Sequence, residues 1–188
     1  MPPKPKVTKE QIESAALELV RAGGEAALTA KALAARLGCS TQPVFWHFRT
    51  MEELRGAVFG RALAVFGGAL RRAVPDVSPY LAVGLNYIRF AAEEPALFRL
   101  LFMSDFGKTD MVGAKVEMDY ILSVIEESDR VTGAAAQALY REMWLFSHGI
   151  AAMVATGTAS FSESEVRRML GDVHRALINE LERNDSEK

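Results

Sequence analysis

The chain has one cysteine, Cys39, so no disulfide can close within it, and three histidines, too few and too scattered to supply the clustered ligands of a structural zinc site. It also lacks an excess of positive charge. Lys and Arg total 22 against 24 Asp and Glu, which leaves a net charge of −2 and no whole-chain nucleic-acid signature. No apolar run reaches membrane-spanning length, and the N-terminal MPPKPK has no apolar core of the kind a secretion signal needs. No stretch alternates at period two for long enough to argue a strand. A Gly-x-Ser-x-Gly elbow, a phosphate-binding glycine loop and a dinucleotide fingerprint are missing too. Ser147 and His148 are adjacent in one helical segment and so point to different faces. The carboxylate pairs Glu52 with Glu53, Glu93 with Glu94, and Glu126 with Glu127 read as helix ends or solvated faces. The expectation is a cytoplasmic, all-α protein that is not an enzyme, crosses no membrane and needs no metal or cofactor.

What is present is apolar mass: 49% of the 188 residues, with a mean hydropathy of +0.06, enough to bury a substantial core. The charge is unevenly spread. Residues 1–55 carry eight basic and six acidic side chains, residues 56–188 fourteen and eighteen. Almost every periodic segment repeats at 3.6 residues. Pro2, Pro3 and Pro5 with Lys4 and Lys6 form a basic arm. Thr8 then caps a first helix to about Ala22, with Ile12, Ala15, Ala16 and Leu19 inward and Gly23-Gly24 as its stop. Thr29 caps a short second helix that ends at Leu37-Gly38. Ser40 or Thr41 starts a third, and Pro43 falls in its first turn, where a missing N–H is tolerated. Thr50 and Glu53 form a capping box for a long helix to about Ala73, lined by Leu54, Val58, Ala62, Phe66 and Leu70.

Further helices are expected from Ser78 to about Glu94, from Pro95 through Met103, over roughly 111–129, from Thr132 to about Thr156, and from a Ser162–Glu165 capping box to about Arg183. Residues 104–110, SDFGKTD, read as a loop. About nine helices result, the first three short. Val166, Leu170, Val173, Leu177 and Leu181 make one apolar stripe down the last of them.

Two short helices joined by a glycine-containing turn match a helix-turn-helix unit, whose second helix lies in the DNA major groove, although short helical hairpins are common in all-α proteins. The residue string is more specific. Leu28-Thr29-Ala30-Lys31-Ala32-Leu33-Ala34-Ala35-Arg36-Leu37-Gly38-Cys39-Ser40, followed by Val44-Phe45-Trp46-His47-Phe48 and Glu52-Glu53-Leu54, resembles the DNA-binding domain of TetR-family transcriptional regulators. The similarity covers about 50 residues, and the helical remainder has the family's length and order. Downstream, Glu94-Pro95-Ala96-Leu97-Phe98-Arg99-Leu100-Leu101-Phe102 and Trp144-Leu145-Phe146-Ser147-His148-Gly149 look like the subgroup named for a Trp-His-Gly signature. Here Trp144 stands four residues before His148, so the two share a helix face.

The resemblance implies a three-helix DNA-binding domain over residues 1–52 and a helical effector-binding and dimerisation domain over 53–188, in an Ω-shaped homodimer. It also implies roles for individual residues. Thr29 would meet phosphate at a helix start, and Lys31 on the first turn would reach a phosphate or a base edge. Ser40, Thr41, Gln42 and Pro43 would open the recognition helix, with Gln42 placed to bond a base and Pro43 or Trp46 to pack on a thymine methyl. His47 and Arg49 would touch the backbone. The chain departs from the family at Phe45, where a phosphate-bonding tyrosine is usual, and at Met51, where a lysine is. The expected function is a repressor released from double-stranded, inverted-repeat operator DNA by a small, mainly apolar effector. An apolar-molecule carrier without DNA binding is the alternative. Phe98, Phe102, Phe106, Tyr120, Trp144 and His148 are the expected effector contacts, with SDFGKTD as gate. Such aromatic stripes are more often plain core, and a histidine bonded to a backbone carbonyl is the ordinary reading of His148.

Overall fold

A computed structural model describes residues 7–104 and 117–186, with side chains through residue 183. Among the described residues there are ten helical elements and no strand: α1 (Lys9–Gly23), a 3-10 turn (Glu25–Ala27), α2 (Ala30–Leu37), α3 (Gln42–His47), α4 (Met51–Leu70), α5 (Pro79–Glu93), α6 (Pro95–Phe102), α7 (Met118–Asp129), α8 (Gly133–Ala155) and α9 (Glu163–Ser186). The arm with Lys4 and Lys6, and the segment holding Phe106, Gly107, Met111 and all of SDFGKTD but its serine, lie outside the described residues.

Local chemistry fixes the helix starts. Thr8 and Gln11 form a reciprocal capping box, Thr8 Oγ1 accepting from the Gln11 N–H at 3.2 Å and Gln11 Oε1 from the Thr8 N–H at 2.9 Å. Ser162 and Glu165 do the same at α9. Thr29 Oγ1 takes the Ala32 N–H at 3.1 Å, and Ser78 Oγ the Leu81 N–H at 3.4 Å. At α4 the box is displaced by one residue. Thr50 Oγ1 accepts from the Glu53 N–H, but the Glu53 carboxylate takes the Arg49 N–H at 2.8 Å instead of that of Thr50. Thr132 occupies its cap position without a side-chain bond. Gly24 (φ +71°) and Gly38 (φ +64°) end α1 and α2 in the left-handed region, which any side chain would strain.

The chain divides into two compact units, one of Met1–Val65 with Ala96–Thr109 and one of Phe66–Pro95 with Asp110–Lys188. In the first, Ile12, Ala16, Leu17 and Val20 of α1 are buried with Leu33, Val44, Phe48, Leu54, Val58 and Ala62. The buried face of α1 is therefore rotated from the expected one: Ala15 and Leu19 are part-exposed, because α2 and the 3-10 turn pack on the side of Leu17 and Val20. Arg61 ties α4 to Glu13 of α1 at 3.3 Å.

The second unit is organised around α5, which packs on α7, α8 and α9. Phe66 of α4 meets the ring edges of Tyr87 and Phe90 at 5.6 and 5.2 Å. Asn86, buried, donates its amide to the carbonyls of Leu70 and Arg72 at 3.3 and 2.7 Å, which satisfies the end of α4 and stops it three residues before the expected Ala73. On α8 the small residues Ala151 and Ala155 are buried inside this unit. Gly84 of α5 also permits tight packing, since a Cβ there would lie 3.3 Å from Leu170.

Candidate nucleic-acid interface and effector cavity

The six residues of α3 are held by one stripe. Val44 and Phe48, four apart, are 0% and 1% exposed, so the residues between and before them must face away from the core. Ser40, Thr41, Gln42, Phe45, His47 and Arg49 are exposed, Pro43 is half-buried in the first turn, and Trp46 is 69% exposed. A tryptophan that open is a poor core residue and a good contact surface. At the start of α2, Thr29 and Lys31 are exposed as well. The Thr29 oxygen is occupied by the cap and its N–H by the Ala27 carbonyl, so the donors left there are its hydroxyl and the N–H groups of Ala30 and Lys31.

His47 carries a contact that the sequence did not announce. Its Nε2 lies 3.0 Å from the Val7 carbonyl, fastening the chain ahead of α1 to α3. Lys9 sits 5.3 Å above the Phe48 ring. Cys39 is part-exposed in the turn, where its N–H bonds the Ala34 carbonyl.

In the second unit, an apolar cavity of about 30 Å³, room for little more than a water, is lined by residues of α5, Ile121 of α7, and Tyr140, Met143, Trp144 and Ser147 of α8. Trp144 stacks on His148 at 5.1 Å and 27°. The Tyr87 hydroxyl is 2.9 Å from His148 Nδ1, so a phenol satisfies this nitrogen of the histidine. Burial pushes the Tyr87 phenol far above its usual range, with a hydrogen bond from Trp144 opposing weakly. The phenol therefore keeps its proton and donates it to Nδ1, which places the imidazole hydrogen on Nε2. Burial lowers the His148 pKa and favours the neutral ring.

The other expected effector contacts are scattered. Phe98, fully buried, and Phe102 pack on each other at 4.9 Å within the first unit, while Phe106 is outside the described residues. Tyr120 lies under the Arg71 guanidinium at 4.1 Å, and Arg71 bonds both the Gly67 carbonyl and the buried Glu117, each at 2.7 Å. Sequence reasoning missed Asn86, Glu117 and the His174–Asp129 pair at 3.1 Å, all polar groups whose partners lie far along the chain. Among the described residues no three His, Cys, Asp or Glu side chains could hold a metal, and no helix is long and apolar enough to cross a membrane.

The comparisons with known proteins agree with this geometry. Residues 12–58 match the family profile described as "Bacterial regulatory proteins, tetR family", and residues 80–176, half the chain, match "Tetracyclin repressor-like, C-terminal domain". The chain belongs to the TetR family. Among solved structures, a TetR variant from Acinetobacter baumannii AYE, in complex with minocycline, is 19% identical with a TM-score of 0.57; the match covers 95% of this chain and 98% of that one, and it supports the fold. No curated protein matches. As a TetR-family member the chain is a DNA-binding transcriptional regulator, not an enzyme, and its partners are operator DNA, a small-molecule effector and a second copy of itself.

Proposed function

We propose that this regulator is a cytoplasmic repressor, with residues 1–52 as its DNA-binding head, that holds an inverted-repeat operator and leaves it when a small, mainly apolar ligand binds. The observation that carries the DNA reading is Trp46, wide open on a helix otherwise pinned by Val44 and Phe48, with Gln42 exposed one turn before it. Gln42 and Trp46 read bases; Thr29, Lys31, Ser40, Thr41, His47 and Arg49 hold the backbone, and Pro43 supports the helix start. Two-fold pairing of the heads makes the operator palindromic, with half-sites one helical turn or a multiple of it apart. The stripe on α9 supports pairing through that helix. Val166 and Leu170 are buried, whereas Val173, Leu177 and Leu181 stay part-exposed.

For the effector, the small cavity beside Trp144 supports a ligand that enters by parting the Trp144–His148 stack. The tyrosine-rich wall suits an aromatic body, and His148 with Ser147 supplies the polar handle. Such a ligand works only by binding the DNA-released state more tightly, and operator must weaken its binding by the same factor. The Trp144–His148 pair also supports placing the chain in the Trp-His-Gly subgroup.

The test is selection of operator DNA from a random pool by the purified protein, followed by gel shifts of variants. Trp46→Ala and Gln42→Ala should each cost about 1–3 kcal/mol on the selected site and relax its sequence. His47→Ala should weaken all sequences alike. Unchanged affinity and preference in the first two variants would remove the assignment.

A further inference from the structure

A second, much larger cavity, about 620 Å³, opens between α5, the end of α8 and the start of α9, and shares no lining residue with the small one. Its size is that of a small-molecule site. Most of the wall is apolar, with Leu85, Ile88, Ala92, Val154, Phe161 and Val166, while Thr158, Ser160 and the Glu163 carboxylate add polar lining on one side. Into this wall is set one cation, Arg89.

The bonding of Arg89 is slack. Its Nη2 stands 3.5 Å from Glu163 Oε2 and its Nη1 3.4 Å from Asn86 Oδ1, both at the long limit of a hydrogen bond. The short bonds of Glu163 go elsewhere. Its Oε1 accepts from Arg167 Nε at 3.0 Å and Nη2 at 2.8 Å. Two guanidiniums thus share one carboxylate, and Arg89, the one that lines the cavity, has the weaker share of it. Of the neighbouring acids, Glu93 is paired with Arg72 at 2.6 Å, and Glu165 is held on its own cap residue, Ser162. A guanidinium presents a planar fork that a carboxylate fits with two parallel bonds, so the unfilled donors of Arg89 define the missing partner's chemistry.

We infer that this cavity binds an amphipathic monocarboxylate, its apolar body against Ile88, Val154 and Val166 and its carboxylate on Arg89. The site is separate from the effector cavity beside Trp144 and stands or falls independently of it. Glu163, held below the usual carboxylate range first by its hydrogen bonds from Arg167 and then by the charge of Arg89, stays anionic on Arg167 while Arg89 turns to the ligand.

The experiment is calorimetric titration of the full chain with decanoate and with decan-1-ol, both kept below the concentration at which decanoate forms micelles. Decanoate should bind at least about tenfold more tightly than the alcohol, the worth of a charge-assisted pair. Arg89→Gln should erase that difference and leave the alcohol's affinity unchanged. Ile88→Asp should weaken both probes, and Trp144→Ala neither. Equal affinity for acid and alcohol in the unaltered chain overturns the proposal even if the variants fail to fold. So does a difference that survives Arg89→Gln, binding that Trp144→Ala abolishes, or failure of both probes to bind, as a cavity covered by a second copy would give.

Discussion

The two tryptophans divide the molecule. Trp46 stands on a six-residue helix with more than two thirds of its surface in solvent, and its helix is anchored by two residues alone. Trp144 is half-buried on a 23-residue helix, stacked on a histidine and lining a cavity. The first unit spends its apolar residues on holding a face still and leaves that face to bind something large. The second buries polar groups, Asn86, Ser147 and Glu117, and encloses space. One indole is open to solvent and the other borders an enclosed space, and the difference comes from what surrounds each helix, not from the residue.

Truncating each indole should sharpen that contrast. Trp144→Ala should lower the unfolding free energy by about 2–3 kcal/mol, less than a fully buried aromatic because part of the ring is in solvent, while Trp46→Ala should stay within about 0.5 kcal/mol. Urea unfolding followed by circular dichroism measures both, and equal losses would break the comparison. Thr29→Ala is a smaller, local test in the first unit. Loss of the bond to the Ala32 N–H should cost roughly 1 kcal/mol, and Thr29→Ser should restore most of it. The smallest effect is pH dependence from the second unit. The folded pKa of His148 lies below its ordinary 6.5, so between those two values the unfolded chain binds more protons. Stability should hold above pH 6.5 and fall as the pH drops below it, until the folded pKa is passed. His148→Asn, which cannot titrate, should flatten that slope in melts taken across the window; a slope that survives the substitution assigns it to other groups.

Local signals were legible in the chain and distant ones were not. The cap residues Thr8, Thr29, Ser78 and Ser162, the stop at Gly38, and the stripe Leu54, Val58, Ala62, Phe66 and Leu70 all depend on neighbours within one or two turns, and all stand where the sequence put them. The exposed face of α3 is local in the same way, since the four-residue step from Val44 to Phe48 turns both inward and leaves Phe45 and Trp46 outside. The buried face of α1 was not, because which of its possible stripes is covered depends on where α2 packs. His47 with Val7, Tyr87 with His148, and Arg71 with Glu117 are pairs 40, 61 and 46 residues apart in the chain. No periodicity encodes such pairs, and residue type does not say which of Phe98, Phe102 and Trp144 border one cavity. The large cavity at Arg89 had no sequence signal at all, as it is assembled from three helices and a connection.

Gly67 limits which variants of this chain can arise. In most helix interiors an exchange of glycine for alanine is a gain of up to about 1 kcal/mol and lies one base change away. At this position a Cβ would come within 2.3 Å of Glu117 Oε1, the end of a side chain whose other oxygen pairs with Arg71, and Arg71 in turn lies over Tyr120, so the carboxylate must swing aside. Every residue that a single base change can put in place of glycine carries a Cβ. A stiffer α4 by way of Gly67 therefore comes with a displaced Glu117, so the two positions, far apart in the gene, are coupled.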